Sequence, residues 1–422
     1  MRRLILEERK IMPAPEDMVN RLVVNSTSGL VCPNLRHLKC YLAKSHPRLI
    51  SHFLSPHLTH ATLYLERPYA NLVEDFSLGL GPTLQALPTS LLQELTIDFS
   101  LGGADHLRDE ISTVIQRCGD SLRTLDIPVS LTEAAVNHIL GLKNLRVWRR
   151  VHSPPPTSLS LPTTFPPLQQ LTLSKEAYDW IPLLARRKRR TPDAQYIPLE
   201  YAGLQTTLTY LSFQSEPVAI DATFISSFSH FQNLVFLEVQ SFCWAHSDCP
   251  FSLTDRDVVQ LSAALPRLEL LDLGLQCSAN ASHTTASCLL ALSVYCQYLR
   301  VMWIHFNTIN LVDDIQFLSE DPDLRGLGDL PTRCPLAYFG AGCLPFPSVT
   351  DRDVTAIAKG FMDVFPLIPG IGSTSDPGWS TLDSRVHQLR AALASSSVEQ
   401  EHVSDRRASR FVASHDQRTA VN

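Results

Sequence analysis

The chain has 422 residues, of which 18% are charged and 44% hydrophobic, and a formal net charge of −6 at pH 7. This balance is typical of a folded chain rather than a disordered one. The small negative charge argues against a general affinity for nucleic acid or anionic membranes. No window reaches the roughly 18 apolar residues that a membrane helix needs, so no membrane association is predicted.

The N-terminal residues favour an intracellular protein. The stretch MRRLILEERK contains an apolar run of only three residues, whereas a secretory signal needs about 7–15. The ten cysteines are then expected to be reduced thiols, because disulfides are rare inside the cell. We therefore predict a cytoplasmic or nuclear location.

A leucine pattern with the spacing L-x-x-L-x-L recurs along most of the chain. Copies begin at Leu35, Leu58, Leu92, Leu122, Leu168, Leu208, Leu234, Leu268 and Leu299, and weaker ones begin at Leu145 and Leu336. The ten intervals between Leu35 and Leu336 average about 30 residues, which is near the period of leucine-rich repeats. Each copy predicts a short strand, because its fourth and sixth residues point to the same face.

A single such strand cannot bury its own apolar side, but stacked copies form a parallel sheet that return segments cover. We therefore predict an α/β fold, a leucine-rich-repeat solenoid: a curved stack of parallel strands with helical or irregular return segments. Residues 31–370 form the predicted solenoid, preceded by an N-terminal cap over 1–30. Residues 371–422 are predicted to form one helix, WSTLDSRVHQLRAAL, and a tail that is disordered beyond Ser395.

The pentapeptide TDRDV occurs twice, as Thr254–Val258 and as Thr350–Val354. Apolar residues at helical steps follow it in DRDVVQLSAAL, so both copies predict helix starts. Either Thr254 or Asp255 suits the N-cap of the first helix. The stretch LTEAAVNHIL from Leu131 predicts a similar start.

Three stretches resemble the leucine-rich half of fungal F-box proteins: CPNLRHLKC from Cys32, LTDRDVVQLSAALPRLELLDLG from Leu253 and YCQYLRVMWIHFNT from Tyr295. The resemblance implies a substrate receptor or adaptor of an SCF-type ubiquitin ligase. In that family the F-box holds the adaptor subunit of the cullin–RING ligase and the repeats hold the substrate. Residues 1–30 would then be a cap or an F-box remnant, with Met12–Val24 as its core, although the F-box pattern itself is not recognisable. The alternative is a free-standing scaffold or regulator without ligase contact.

No motif for nucleophilic, metal-dependent or nucleotide chemistry occurs, so we predict that the protein is not an enzyme and has no cofactor. Cys243, His246 and Cys249 lie close together in sequence, but a structural zinc site needs a fourth ligand, and none is evident nearby. We therefore predict no metal site. Cys243 is better explained as a small apolar residue in a turn.

Five consecutive cations occupy the longest interval between leucine copies: Arg186, Arg187, Lys188, Arg189 and Arg190. Such a run serves as a nuclear import signal in some proteins and is a solvated loop in others, and both interpretations stay open. No motif for reading a nucleic-acid sequence accompanies it.

The residues between the buried leucines are expected to form the concave, partner-binding face of the sheet. The predicted site consists of Tyr210, Phe236, Glu238, Leu270, Asp272, Trp303 and His305. In this prediction Tyr210, Phe236, Leu270 and Trp303 line up across four strands, ringed by Asp98, Asp126, Glu238 and Asp272. Aromatic anchors with surrounding acids favour a protein partner with a basic, partly apolar segment.

Overall fold

The computed structural model describes residues 2–7, 30–42, 50–65, 80–99, 105–155, 165–174, 177, 180, 206–215, 222–241, 252–273, 283–320, 334–342, 346–373 and 376–395. The chain divides into two compact units, one formed by Met1–Phe242 with Ala264–Leu268 and the other by Cys243–Ala263 with Glu269–Asn422. Each unit contains parallel strands and helices.

The described residues of the first unit form nine strands: β1 (Arg3–Glu7), β2 (His37–Leu42), β3 (His60–Leu65), β4 (Glu94–Phe99), β5 (Thr124–Asp126), β6 (Val147–Val151), β7 (Gln170–Ser174), β8 (Tyr210–Ser215) and β9 (Phe236–Ser241). From β1 to β9, consecutive strands pair in parallel. Its helices are α1 (residues 80–85), α2 (Arg108–Arg117), α3 (Glu133–Leu140) and α4 (Ala222–Phe228), with 3-10 turns at Ser51–Phe53 and Asp105–Leu107.

The second unit contains β10 (Leu270–Leu273), β11 (Val301–Ile304), β12 (Tyr338–Gly342) and β13 (Ile371–Ser373), which again pair in parallel in chain order. Its helices are α5 (Asp255–Ala264), α6 (Ser287–Tyr295), α7 (Leu311–Glu320), α8 (Asp351–Val364) and α9 (residues 377–395). None of the helices in the described part of the chain is long and apolar enough to cross a bilayer.

The leucine pattern coincides with the strands and with the core, which confirms the predicted α/β class with parallel strands. In a typical copy, Leu122, Leu125 and Ile127 are 0, 0 and 3% exposed. Equivalent positions are in register, since Leu125 pairs with Leu95 on one side and with Trp148 on the other. The weaker copies at Leu145 and Leu336 also form strands, and their leucines are buried.

The strands extend past both predicted domain boundaries. Strand β1 lies within the predicted N-terminal cap. It forms a strand because the side chains of RLILE alternate along an extended segment and its backbone pairs with β2. Strand β13 lies beyond residue 370 and pairs with β12. Helix α9 includes the stretch WSTLDSRVHQLRAAL, and its Trp379 packs edge-on against Phe306 and Phe346. Met12–Val24 and the predicted tail beyond Ser395 lie outside the described residues.

The TDRD repeat forms the same capping arrangement twice. The Thr254 hydroxyl donates to Asp257 Oδ2 at 2.7 Å, and the Thr254 amide donates to the same oxygen at 2.9 Å. Thr350 and Asp353 form the equivalent capping box at the start of α8. Thr254, rather than Asp255, therefore caps α5. Asp255, the first aspartate of the motif, makes a different contact. Asp255 accepts hydrogen bonds from the amide and hydroxyl of Thr285 at 2.7 and 2.8 Å.

Candidate binding surface

The strand residues between the buried leucines form one face of each sheet, which we call the sheet face. Parallel pairing places equivalent positions side by side, so the third residues of the copies form one row and the fifth residues another. The third-position row of the first unit consists of His37, His60, Glu94, Thr124, Val147, Gln170, Tyr210 and Phe236. This face bears all the site residues that the sequence predicts except His305, which directly follows β11.

Tyr210, Phe236 and Glu238 form a contiguous cluster on the sheet face of the first unit. The rings of Tyr210 and Phe236 lie 5.8 Å apart, and all three side chains are half-buried. The Tyr210 hydroxyl donates a hydrogen bond to Glu238 Oε2 at 2.8 Å. Burial and this bond raise the pKa of Tyr210 to about 12, so the phenol keeps its proton at neutral pH.

In the second unit the register corrects the predicted row. Leu270 pairs with Val301, whereas Trp303 pairs with Asp272, so Trp303 belongs to the fifth-position row. The aromatic residue in the third-position row is Tyr338, which is 39% exposed. Tyr338 is absent from the predicted site, although it occupies the third position of the weak copy at Leu336. The rings of Trp303 and Tyr338 meet edge to face, 5.4 Å apart.

Two glycines give these rings room on the sheet face. A Cβ built at Gly340 would lie 1.7 Å from Cδ1 of Trp303, and one built at Gly372 would lie 1.8 Å from the Tyr338 hydroxyl oxygen. Each ring therefore extends across the neighbouring strand, because that strand carries no side chain at the covered position. The half-buried Trp303 and the exposed Tyr338 form the aromatic pair of this unit.

The four acids predicted to surround the site do not form an accessible, unpaired ring. Arg150 contacts Asp98 through Nη1 and Asp126 through Nε, both at 2.5 Å. Asp272 and His305 are only 5 and 2% exposed, so their side chains lie inside the protein. Glu238 is half-buried on the face, as Asp98 and Asp126 are, and it already accepts a hydrogen bond from the Tyr210 hydroxyl.

Arg150 reaches the sheet face through a bulge that the leucine spacing does not reveal. Trp148 pairs with Leu171 and Val151 with Leu173, so β6 has one residue more than β7 over this stretch. Arg150 adopts the positive φ of 52° that such a bulge requires. The neighbouring Arg149, an exposed residue, donates instead to Gln170 Oε1 at 3.1 Å.

A second group of aromatic and basic side chains lies on β2 and β3, and sequence reasoning missed it. Tyr41 and Tyr64 are stacked with centroids 4.5 Å apart, and Lys39 Nζ lies 5.1 Å from both ring centroids. His37 and His60 are stacked at 4.0 Å. These residues could have been identified from the sequence, because they occupy the third, fifth and seventh positions of the first two leucine copies.

The described cysteines are buried thiols, apart from the half-buried Cys32. Burial raises the pKa values of Cys40, Cys118, Cys296 and Cys334 to about 12. No group of three or more potential metal ligands occurs within the described ranges. The stretch from Cys243 to Cys249 and the basic run Arg186–Arg190 lie outside them.

Within the described residues, the sheet face therefore presents two partly exposed aromatic pairs and one basic, aromatic group. These are surfaces suited to contact with another chain, because partly exposed aromatic side chains are the usual anchors of protein interfaces. No protein-family model matches the chain, and no curated protein matches its sequence.

Proposed function

We propose that this protein is a non-catalytic binding module of the leucine-rich-repeat type, and that it holds a protein partner on its sheet face. The parallel strands in chain order and the buried leucine positions support the repeat assignment. Stacked repeats are characteristic of proteins that bind others through an extended face. The observation that carries the proposal is the aromatic pair of the half-buried Trp303 and the exposed Tyr338.

This pair has the properties of an interface anchor. Stability of the fold does not require Tyr338 to be 39% exposed. It also does not require the glycines at positions 340 and 372, which leave space for the two rings on the sheet. Large, rigid side chains that are already held in place lose little conformational entropy on binding. A partner would cover the rings with an apolar segment.

The more specific hypothesis is a substrate receptor or adaptor of an SCF-type ubiquitin ligase, and it rests on the resemblance of the repeats. It requires an F-box, for which Met12–Val24 or a sequence upstream is the candidate. Purification of the tagged full chain should then recover the ligase's adaptor subunit and cullin. Recovery of neither favours the alternative, a free-standing scaffold or regulator in the cytoplasm, or in the nucleus if Arg186–Arg190 acts as an import signal.

The binding surface is tested by comparing two aromatic substitutions within the second unit. Trp303→Ala should reduce recovery of the bound partner at least tenfold, because interface anchors contribute about 2 kcal/mol or more. Tyr298→Ala is the matched control, since Tyr298 is 59% exposed but precedes the strand. Thermal melting of both variants checks that the fold survives. Equal recovery by the two variants would place the site elsewhere.

A further inference from the structure

The beginning of the first unit carries a concentration of cations that no part of the predicted site includes. Arg2, Arg3 and Arg36 are exposed, and Lys39 is half-buried. Arg3 lies in register with His37, and His37 with His60. The N-terminal patch, as we call it, consists of Arg2, Arg3, Arg36, His37, Lys39 and His60 together with the tyrosine pair Tyr41 and Tyr64.

The acids on the neighbouring strand positions do not balance these cations. Glu94 lies in register with His60, and Glu7 lies in register with Tyr41. Asp98 lies in register with Tyr64, but Arg150 contacts it at 2.5 Å. Among the described side chains, four permanent cations therefore lie at this end of the sheet, and Glu94 is the carboxylate in register with them that Arg150 does not contact.

Lys39 is a fixed charge within the patch. Its Nζ lies 5.1 Å from the centroids of both stacked tyrosines, a distance at which a ring attracts a cation. Hydrogen bonding to Tyr41 raises the pKa of Lys39, so the ammonium stays protonated over the whole physiological range. The two rings hold the ammonium beside the histidines without neutralising it.

His60 adds a charge that depends on pH. The Thr59 hydroxyl donates to the Arg36 carbonyl oxygen at 3.0 Å, so His60 Nδ1 must donate to Thr59 Oγ1 at 2.8 Å. Nε2 is then the atom of His60 that titrates. Burial and the adjacent His37 lower the pKa of His60, while Glu94 acts in the opposite direction. The His60 ring gains a proton more readily when an anion lies against it.

We propose that the N-terminal patch binds an acidic segment of a protein partner, with carboxylates against the arginines and histidines and an apolar residue against Tyr41 and Tyr64. The strand geometry sets the spacing. Position 37 and position 41 are four residues apart, or about 13 Å along the strand. An extended partner segment would therefore carry its Asp or Glu residues about four residues from the apolar one. The inference rests on the proposed function in one respect, which is that the sheet face binds a protein.

The test uses the full chain and a fluorescein-labelled peptide that has three consecutive glutamates, three serines and then leucine, so that the nearest glutamate lies four residues from the apolar residue. Anisotropy should show binding that weakens as salt is added. The same peptide with glutamines should bind at least about tenfold more weakly. Arg36→Glu should weaken binding by at least about fivefold, and Lys39→Gln should weaken it in the same direction. Lys359→Glu is the control with an equal charge change, because Lys359 is an exposed residue of α8.

The affinity should rise as the pH falls from 7.5 to 6.0, because a bound carboxylate favours the protonated imidazole of His60. His60→Gln should reduce this pH dependence. Equal losses in Arg36→Glu and Lys359→Glu, or equal binding of the glutamine peptide, would overturn the proposal. Displacement of the peptide by lower concentrations of a single-stranded RNA or of anionic vesicles would overturn it in favour of those ligands.

The two proposals fail separately. Trp303→Ala should leave peptide binding unchanged, since Trp303 belongs to the second unit. Loss of peptide binding in the unsubstituted protein, with partner recovery still sensitive to Trp303→Ala, rejects only the N-terminal patch. Peptide binding that depends on Arg36, with partner recovery insensitive to Trp303→Ala, rejects only the aromatic pair as the anchor.

Discussion

The indole of Trp303 lies over the backbone of Gly340 on the neighbouring strand, so closely that a Cβ at position 340 would lie 1.7 Å from Cδ1 and 1.9 Å from Nε1. Strand pairing sets Trp303 opposite Gly340 directly. The ring can therefore lie flat on the sheet only while that position has no side chain. This relationship connects a single glycine to the placement of the candidate anchor residue.

Gly340→Ala should displace the indole and lower the free energy of unfolding by roughly 1–3 kcal/mol, the usual cost of overpacking. Urea unfolding and tryptophan fluorescence measure the two effects. Gly81→Ala is the control, because a Cβ there would meet only Glu110 Cγ at 3.7 Å, an ordinary contact. A Gly340→Ala protein with unchanged fluorescence and stability would contradict the placement of Trp303.

Arg150 should show an unusual order of substitution effects. Alanine removes its contacts with Asp98 and Asp126 and keeps the unfavourable φ of 52°, so Arg150→Ala should cost about 1–2 kcal/mol of stability. Arg150→Gly loses the same contacts, but glycine adopts a positive φ without the steric cost of about 1 kcal/mol that alanine bears. The glycine variant should therefore be the more stable of the two. Chemical denaturation measures both, with Arg149→Ala as the neighbouring control. Greater loss in the glycine variant would argue against the bulge.

The cap of α5 should depend on the Thr254 hydroxyl. Thr254→Ala removes the bond to Asp257 Oδ2 and should lower the free energy of unfolding by about 1 kcal/mol. Thr254→Ser keeps a hydroxyl and should retain most of the stability. Equilibrium unfolding of the three proteins provides the comparison. Equal stability of the alanine and serine variants would show that the cap contributes nothing.

The second capping box predicts a dependence on pH. Hydrogen bonds from the Thr350 hydroxyl and amide lower the pKa of Asp353 in the folded protein. Because the folded pKa is below the unfolded one, the stabilisation is present above the unfolded pKa and is lost as the pH falls through the folded pKa. Stability should therefore decline below about pH 5, and Asp353→Asn should decline less steeply. Parallel pH profiles of the two proteins would refute this assignment.

The buried thiols should be unreactive in the folded protein. A pKa of about 12 for Cys40, Cys118, Cys296 and Cys334 leaves almost no thiolate at pH 8, and burial blocks access. Among the described cysteines, the half-buried Cys32 should react with iodoacetamide first. Peptide-level mass spectrometry with and without denaturant measures the rates. Rapid native labelling of Cys296 would show that its site opens readily.

The spacing of the leucines was sufficient to predict the strands and the core, because side chains alternate between the two faces of any extended strand. The TDRD motif likewise predicted two helix starts, because the Thr–Asp capping box involves only residues three positions apart. Both features depend on contacts that are local along the chain. They hold for Leu122, Leu125 and Ile127 as they do for Thr350 and Asp353.

Only the tertiary structure decided which face residues meet and which charges remain accessible. Trp303 shares a row with Asp272 rather than Leu270 because strand register sets the neighbours. Arg150 contacts Asp98, 52 residues away in sequence, because a bulge turns it onto the sheet face. Asp272 is buried although its position alternates outward. Such contacts depend on pairing and packing between distant segments, which the residue pattern of one segment does not contain.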